Sequence, residues 1–139
     1  MKTLEQVLSD IETSVAVPEV RECGLAIGEV HQQGDVYLHR VVDDWPRGKM
    51  LGTRQIAVGD GIGSRHVVEG DVEVYEGVRL PDGLTVPDEA TEEDMRGPVV
   101  VVESACMLTH PKHAHFALDR GVYQVTYPFD FTTMRREQD

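Results

Sequence analysis

The sequence predicts a mainly β protein: a small antiparallel β-barrel or sandwich preceded by an N-terminal amphipathic helix. Three observations carry this expectation. Residues 122–131 alternate, with Tyr123, Val125, Tyr127, Phe129 and Phe131 on one face and Val122, Gln124, Thr126, Pro128 and Asp130 on the other, the period of two that belongs to a strand. Val99–Val102 is an unbroken run of valines, as expected of a strand covered on both faces. Between these and the other β-rich stretches lie frequent Gly, Pro and Asp turns, with no alternation of strands and helices that would signal a parallel sheet.

Taken in order, Leu4, Val7, Leu8 and Ile11 fall at i, i+3, i+4, i+7, which places them on one helical stripe. Thr3 and Gln6 have the form of a capping box, and Pro18 forbids simple continuation. The domain organisation is therefore a helix over 1–16 and a β domain over 20–139. Leu25–Val30 is a weak strand candidate and Asp35–Val42 a stronger one. Trp45 lies in a loop, as a lid on the core or an anchor for a protein contact. Arg54–Val58 precedes the glycine-rich turn Gly59–Gly63. Two strands, His66–Val68 and Val72–Leu80, are separated by Glu69-Gly70-Asp71. Pro81-Asp82-Gly83 is a turn, because Pro presets φ and Gly accepts a positive one. The acidic stretch 87–96 reads as an exposed excursion holding one helical turn, and Pro98–Glu103 follows as a strand. Pro128 marks the far end of the last strand as an edge or bulge. The count is about eight short strands.

At 139 residues with 40% hydrophobic and 27% charged residues, one globular domain with a real core is expected. No apolar run is long enough to span a membrane, and the N-terminus lacks the apolar core of a secretion signal. The expected setting is soluble and cytoplasmic, or within a virion. Cys23 and Cys106 are far apart and match no zinc spacing. Twenty-five acidic against thirteen basic residues give a net charge of −12, which repels phosphate backbones. Nucleic acid and membrane are therefore excluded as expected partners.

Chemistry-bearing residues concentrate in Thr109–His115. His113 and His115 are two apart, His110 lies across Pro111-Lys112, and Asp119 follows four residues after His115. A His-x-His pair with a later carboxylate is half of the metal signature of cupins. His66 could add a ligand from another strand, and such a set suits a divalent transition metal. The glycine spacing before that pair and the second cupin motif are both missing, so His66, His110, His113, His115 and Asp119 form an alternative metal set. The bland reading is a polar turn or a subunit contact. Cys106, between Ala105 and Met107, reads as a buried structural thiol. Gly59–Gly63 lacks the Lys-Ser/Thr of a phosphate-binding loop.

Gln33-Gly34-Asp35-Val36, the segment 57–66, Leu108–His113 and the stretch 118–125 together resemble a family of short, uncharacterised bacterial and phage-borne β proteins. Its pattern is a QGDV strand, a GE-x-TGH-x-H turn and an LTHPEH segment leading to LP-x-G-x-Y-x-V. Ser64 stands where that pattern has the first turn histidine, so a metal role needing that ligand is weakened. The resemblance implies a β fold and no particular activity. With no complete catalytic constellation, the leading expectation is a non-enzymatic structural or interaction module without a cofactor. It would assemble with itself or within a larger protein assembly such as a phage or prophage particle. The rival is a cupin-like metalloprotein or metalloenzyme.

Overall fold

The computed structural model describes residues 20–58, 65–110, 114–130 and 135–136. The expected helix over 1–16 and the Gly59–Gly63 turn lie outside the described residues. The strands are β1 (Val20–Cys23), β2 (Val30–Gln33), β3 (Val36–Val41), β4 (Arg47–Leu51), β5 (Gln55–Val58), β6 (Arg65–Gly77), β7 (Arg96–Thr109), β8 (His115–Thr126), β9 (Phe129–Asp130) and β10 (Arg135–Arg136). One helical turn, α1 (Glu92–Met95), stands in the acidic stretch. Thr91 starts it with a capping box, its hydroxyl accepting from the Asp94 N–H while the Asp94 carboxylate accepts from the Thr91 N–H.

Eight strands form one sheet in the order β2-β3-β8-β7-β6-β4, with β1 added beside β8 and β5 beside β6. All its pairings are antiparallel except β1–β8, which is parallel. The expected barrel is not closed: among the described residues the sheet ends at β2 and β4.

What gives this open sheet a core is a fold across its three longest strands. The β6–β7 register shifts between Gly70 and Val72, and the β7–β8 register shifts between Val102 and Ala105. Val102 faces Gly121 and Ala105 faces Asp119 across β8, so the irregularities line up into one crease. Bulges of this kind bend a strand and increase its twist. Gly70 explains why β6 can bend there: its φ is +122°, and a β-carbon would lie 2.6 Å from the Ala105 carbonyl oxygen. The two strands expected on either side of Glu69-Gly70-Asp71 are one thirteen-residue strand, with a bulge at that step.

The crease turns the two halves of the sheet toward each other over a common core. Val68, Leu108, Phe116 and Leu118 come from one half, and Leu38, Val74, Val100, Tyr123 and Val125 from the other. A second, smaller cluster of Val41, Trp45, Val99 and Val122 packs on the opposite face. The valine run thus divides between two cores, Val100 and Val102 in the first and Val99 and Val101 in the second. Inward-facing Tyr123 and Val125 are fully buried, as the alternation implies. Residues 121–127 are buried without interruption because β8 is central and covered on both faces. Opposite the crease, the Tyr127 hydroxyl donates to the Ile56 carbonyl and ties the end of β8 to β5.

Gly70→Ala is expected to lower stability by about 2 kcal/mol or more, combining positive-φ strain with a backbone collision. Gly83→Ala, at φ +87° with open space around the new methyl, is expected to cost about 1 kcal/mol from strain alone. Urea denaturation of both variants checks the ranking.

Candidate functional site

The β2–β3 connection is a two-residue hairpin loop, since Gln33 pairs with Val36. Gly34 supplies the positive φ, 58°, that such tight loops need. This tight turn carries Gln33 and Asp35 across the mouth of the folded sheet to β6 and the β7–β8 connection. Gln33 is 1% exposed, and its amide nitrogen donates to the Leu108 carbonyl at 3.0 Å and the Ala114 carbonyl at 2.8 Å. These two bonds fix the orientation of the amide, so Oε1 faces His66 as an acceptor. His66 Nδ1, 2.8 Å away, must then carry its proton and donate.

His66 is fully buried, and its Nε2 lies 3.4 Å from Asp35 Oδ1. The His110 ring packs against that of His66 at 4.4 Å between centroids, tilted by 46°. His115 Nε2 donates to the His110 carbonyl at 3.1 Å. Three segments far apart in sequence, 33–35, 66 and 108–115, therefore meet in one buried polar cluster. Its first chemical effect is structural, because the bonds of Gln33 and the approach of Asp35 to His66 join the β2–β3 hairpin to the other half of the folded sheet. It also brings a carboxylate to a histidine whose tautomer is set by a carbonyl-type acceptor, an arrangement that orients metal-bound histidines.

Of the sequence-derived metal set, His66 and His110 are in contact, and His115 is tied to the backbone of His110. His113 lies outside the described residues. Asp119 is not with them: it is exposed beside the crease, four residues along β8 from His115, and its backbone carbonyl accepts from Tyr123 at 2.7 Å. Asp35 and Gln33 were missed as site residues because their link to the histidines is purely tertiary. Among the described residues no group of three or more His, Cys, Asp or Glu is placed to hold a metal ion. Cys106 is a buried free thiol that desolvation pushes up to about 11, which keeps it protonated and inert.

A second feature lies on the outer face. Trp45, in the loop between β3 and β4, is buried there as a lid on the second core cluster; its indole N–H donates to Gln124 Oε1 at 2.9 Å, and Arg79 stacks over its ring at 4.3 Å. His39, bonded to the Thr126 hydroxyl at 2.8 Å, is held below the ordinary histidine pKa by burial. Beside them opens a cavity of about 390 Å³ whose wall includes Trp45, Leu84, Ile27, Val30 and Val42. The last three are 58%, 46% and 44% exposed, half of the exposed large apolar side chains of the described residues, gathered at one place. The cavity adjoins β2, one end of the sheet.

Gln33→Leu is expected to destabilise the fold by about 2–4 kcal/mol. It leaves two buried carbonyls and the His66 N–H without the partners they have now, each costing about 1–3 kcal/mol with partial relaxation. Thermal or urea unfolding measures the loss.

No curated protein and no solved structure matches the chain. No helix among the described residues is long and apolar enough to cross a membrane. A family model described as a domain of unknown function, DUF8820, matches residues 32–127. That span takes in the hairpin glutamine and aspartate, His66 and the whole histidine segment, together with the crease. The chain is a member of the DUF8820 family.

Proposed function

We propose that the protein is a non-enzymatic interaction module that assembles with a second copy of itself through the open edge of β2. The observation that carries this reading is the coincidence of an uncharged sheet edge with the exposed apolar cavity beside it. β2 reads Val30-His31-Gln32-Gln33, with no Lys, Arg, Asp, Glu or Pro. The opposite edge, β4, reads Arg47-Gly48-Lys49-Met50-Leu51 and carries the charges with which edge strands resist pairing. Two chains of net charge −12 repel each other, so an edge free of charge is where two copies can approach at least cost. Antiparallel pairing of β2 with its counterpart about a twofold axis would extend the sheet. It would also cover Val30 and bring Ile27 and Val42 toward the partner. Membership of a phage or prophage particle is a finer form of the same reading.

The expected native species is a dimer of twice the 15.5 kDa chain mass. Val30→Lys returns it to monomer, whereas Met50→Lys on the other edge leaves it dimeric. Sedimentation equilibrium decides, and a wild-type monomer at high protein concentration overturns the reading.

One observation favours a second function, binding of a divalent transition metal. With the His66 proton held on Nδ1 by Gln33, Nε2 turns its lone pair toward Asp35. Their 3.4 Å separation is close to the distance between two ligands of a tetrahedral ion, about 3.3 Å for bonds of ~2.0–2.1 Å. Asp35 and His66 would be ligands, with His110 adjacent and His113 a further candidate from the sequence; His115 and Asp119 leave the set. Elemental analysis of the purified protein tests this. Near-equimolar Zn, Fe, Ni or Cu, lost in His66→Gln, supports it; no metal, with no thermal shift on adding Zn²⁺, overturns it.

A further inference from the structure

We infer that a cleft at the crease is a binding site for a small phosphate-type oxyanion, formed by Arg40, Arg47 and Arg120. The cleft has a volume of about 440 Å³, and its wall joins the end of β3, the start of β4 and the bend of β7 and β8. Small-ligand sites begin at roughly this size. Its charged lining is the three arginines with Asp43 and Glu103, a local balance of three positive against two negative groups. That is a net positive site in a chain of net charge −12.

Arg40 is the centre of the argument. Its side chain is only 17% exposed, and its guanidinium sits 5.6 Å from the centre of the Tyr123 ring. On the other side it lies across Gly121, where any β-carbon would collide with it. The sheet therefore gives up a side chain at its bend to seat this guanidinium in one orientation. Such a seated cation needs a counter-charge. Its carboxylate neighbour Asp43 is 3.8 Å away and itself 85% exposed, a screened and loose pairing. Arg40 Nε is buried and has no hydrogen-bond partner. A buried donor of this kind costs free energy until an acceptor reaches it.

The two other arginines make the site three-sided. Arg47 is held by donation to the Asp43 carbonyl at 2.8 Å and by the Tyr75 ring at 5.5 Å. Arg120 is exposed at the rim, one residue before Gly121. Three guanidinium-bearing residues lining one cleft from three strands suit an anion with three or more acceptor oxygens; a planar carboxylate offers only two. The surrounding negative charge opposes a polyanion such as nucleic acid over long range. A small phosphate or phosphomonoester, screened beyond about 8–10 Å, is admitted.

The test is a titration of the full chain with inorganic phosphate at constant ionic strength, followed by NMR of the arginine and backbone N–H groups. Saturable binding is expected, with the largest shifts at Arg40, Arg120 and Gly121. Arg120→Gln and Arg47→Gln should each weaken it about tenfold, the loss of one charge-assisted contact. Acetate at the same ionic strength should leave these resonances in place. Because Arg40 is packed into the fold, the exposed Arg120 serves as the primary variant. The inference is overturned by linear, non-saturating shifts, by affinity unchanged in both variants, or by acetate binding as well as phosphate.

Discussion

Everything in this protein depends on a bend shared by three neighbouring strands. A sheet of eight strands left flat would expose one apolar face and have no core. Gly70, the irregular Glu103-Ser104 step and Gly121 let β6, β7 and β8 fold along a common line, and the inner faces of the two halves then bury each other. A bent sheet can also reopen, so its far side needs fastening. Gln33 supplies that with two backbone carbonyls and His66, and Tyr127 supplies it again through Ile56. The fold is a hinge at one end and a pair of polar clasps at the other.

This division explains where the polar residues go. Buried amides and imidazoles are costly unless they are fully bonded, and here they occur where two parts of the sheet must be held in register. Gln33 and His66 serve the inner mouth. Gln124 serves the outer face, accepting from Trp45 and donating to the Gly97 and Val125 carbonyls. Such bonds are directional, so they select one way of closing a sheet that apolar packing alone would let slide. The apolar residues supply the driving force and the amides supply the register.

Much of the fold was legible in the sequence because it depends on local pattern. The alternation around Tyr123 and Val125, the valine run, and the single helical turn in the acidic stretch all reflect neighbours along the chain. What was not legible was tertiary. Glu69-Gly70-Asp71 has the composition of a turn, and only the pairing of both flanks with β7 makes it a bulge. β1 and β4 carry no alternation, being short and at the margin, so neither stood out. Trp45 is the loop residue its surroundings suggest, but the partners that bury it, Gln124 and Arg79, are far away in sequence and could not be read from it. The histidine segment drew attention by residue type alone. Gln33, which bonds that segment, and Asp35, which meets His66, sit in a hairpin whose composition explains itself without them.

Three places in the molecule differ in what can reach them. The clasp is sealed: His66 is fully buried and Asp35 nearly so, so whatever occupies it acts on the fold and not on a diffusing substrate. The β2 edge carries no charge and the cavity beside it gathers exposed apolar side chains, suited to a protein surface. The arginine cleft is exposed and positive, suited to a small anion. These last two lie close together, because Arg40 lines both cavities. The backbone of Arg40 also continues the β2–β3 ladder, its N–H donating to the Glu29 carbonyl and its carbonyl accepting from Gly28. An anion held by the Arg40 side chain would therefore act on a residue whose main chain helps to set the edge strand. The side chain that lines the cleft and the main chain that pairs beside the edge strand belong to the same residue.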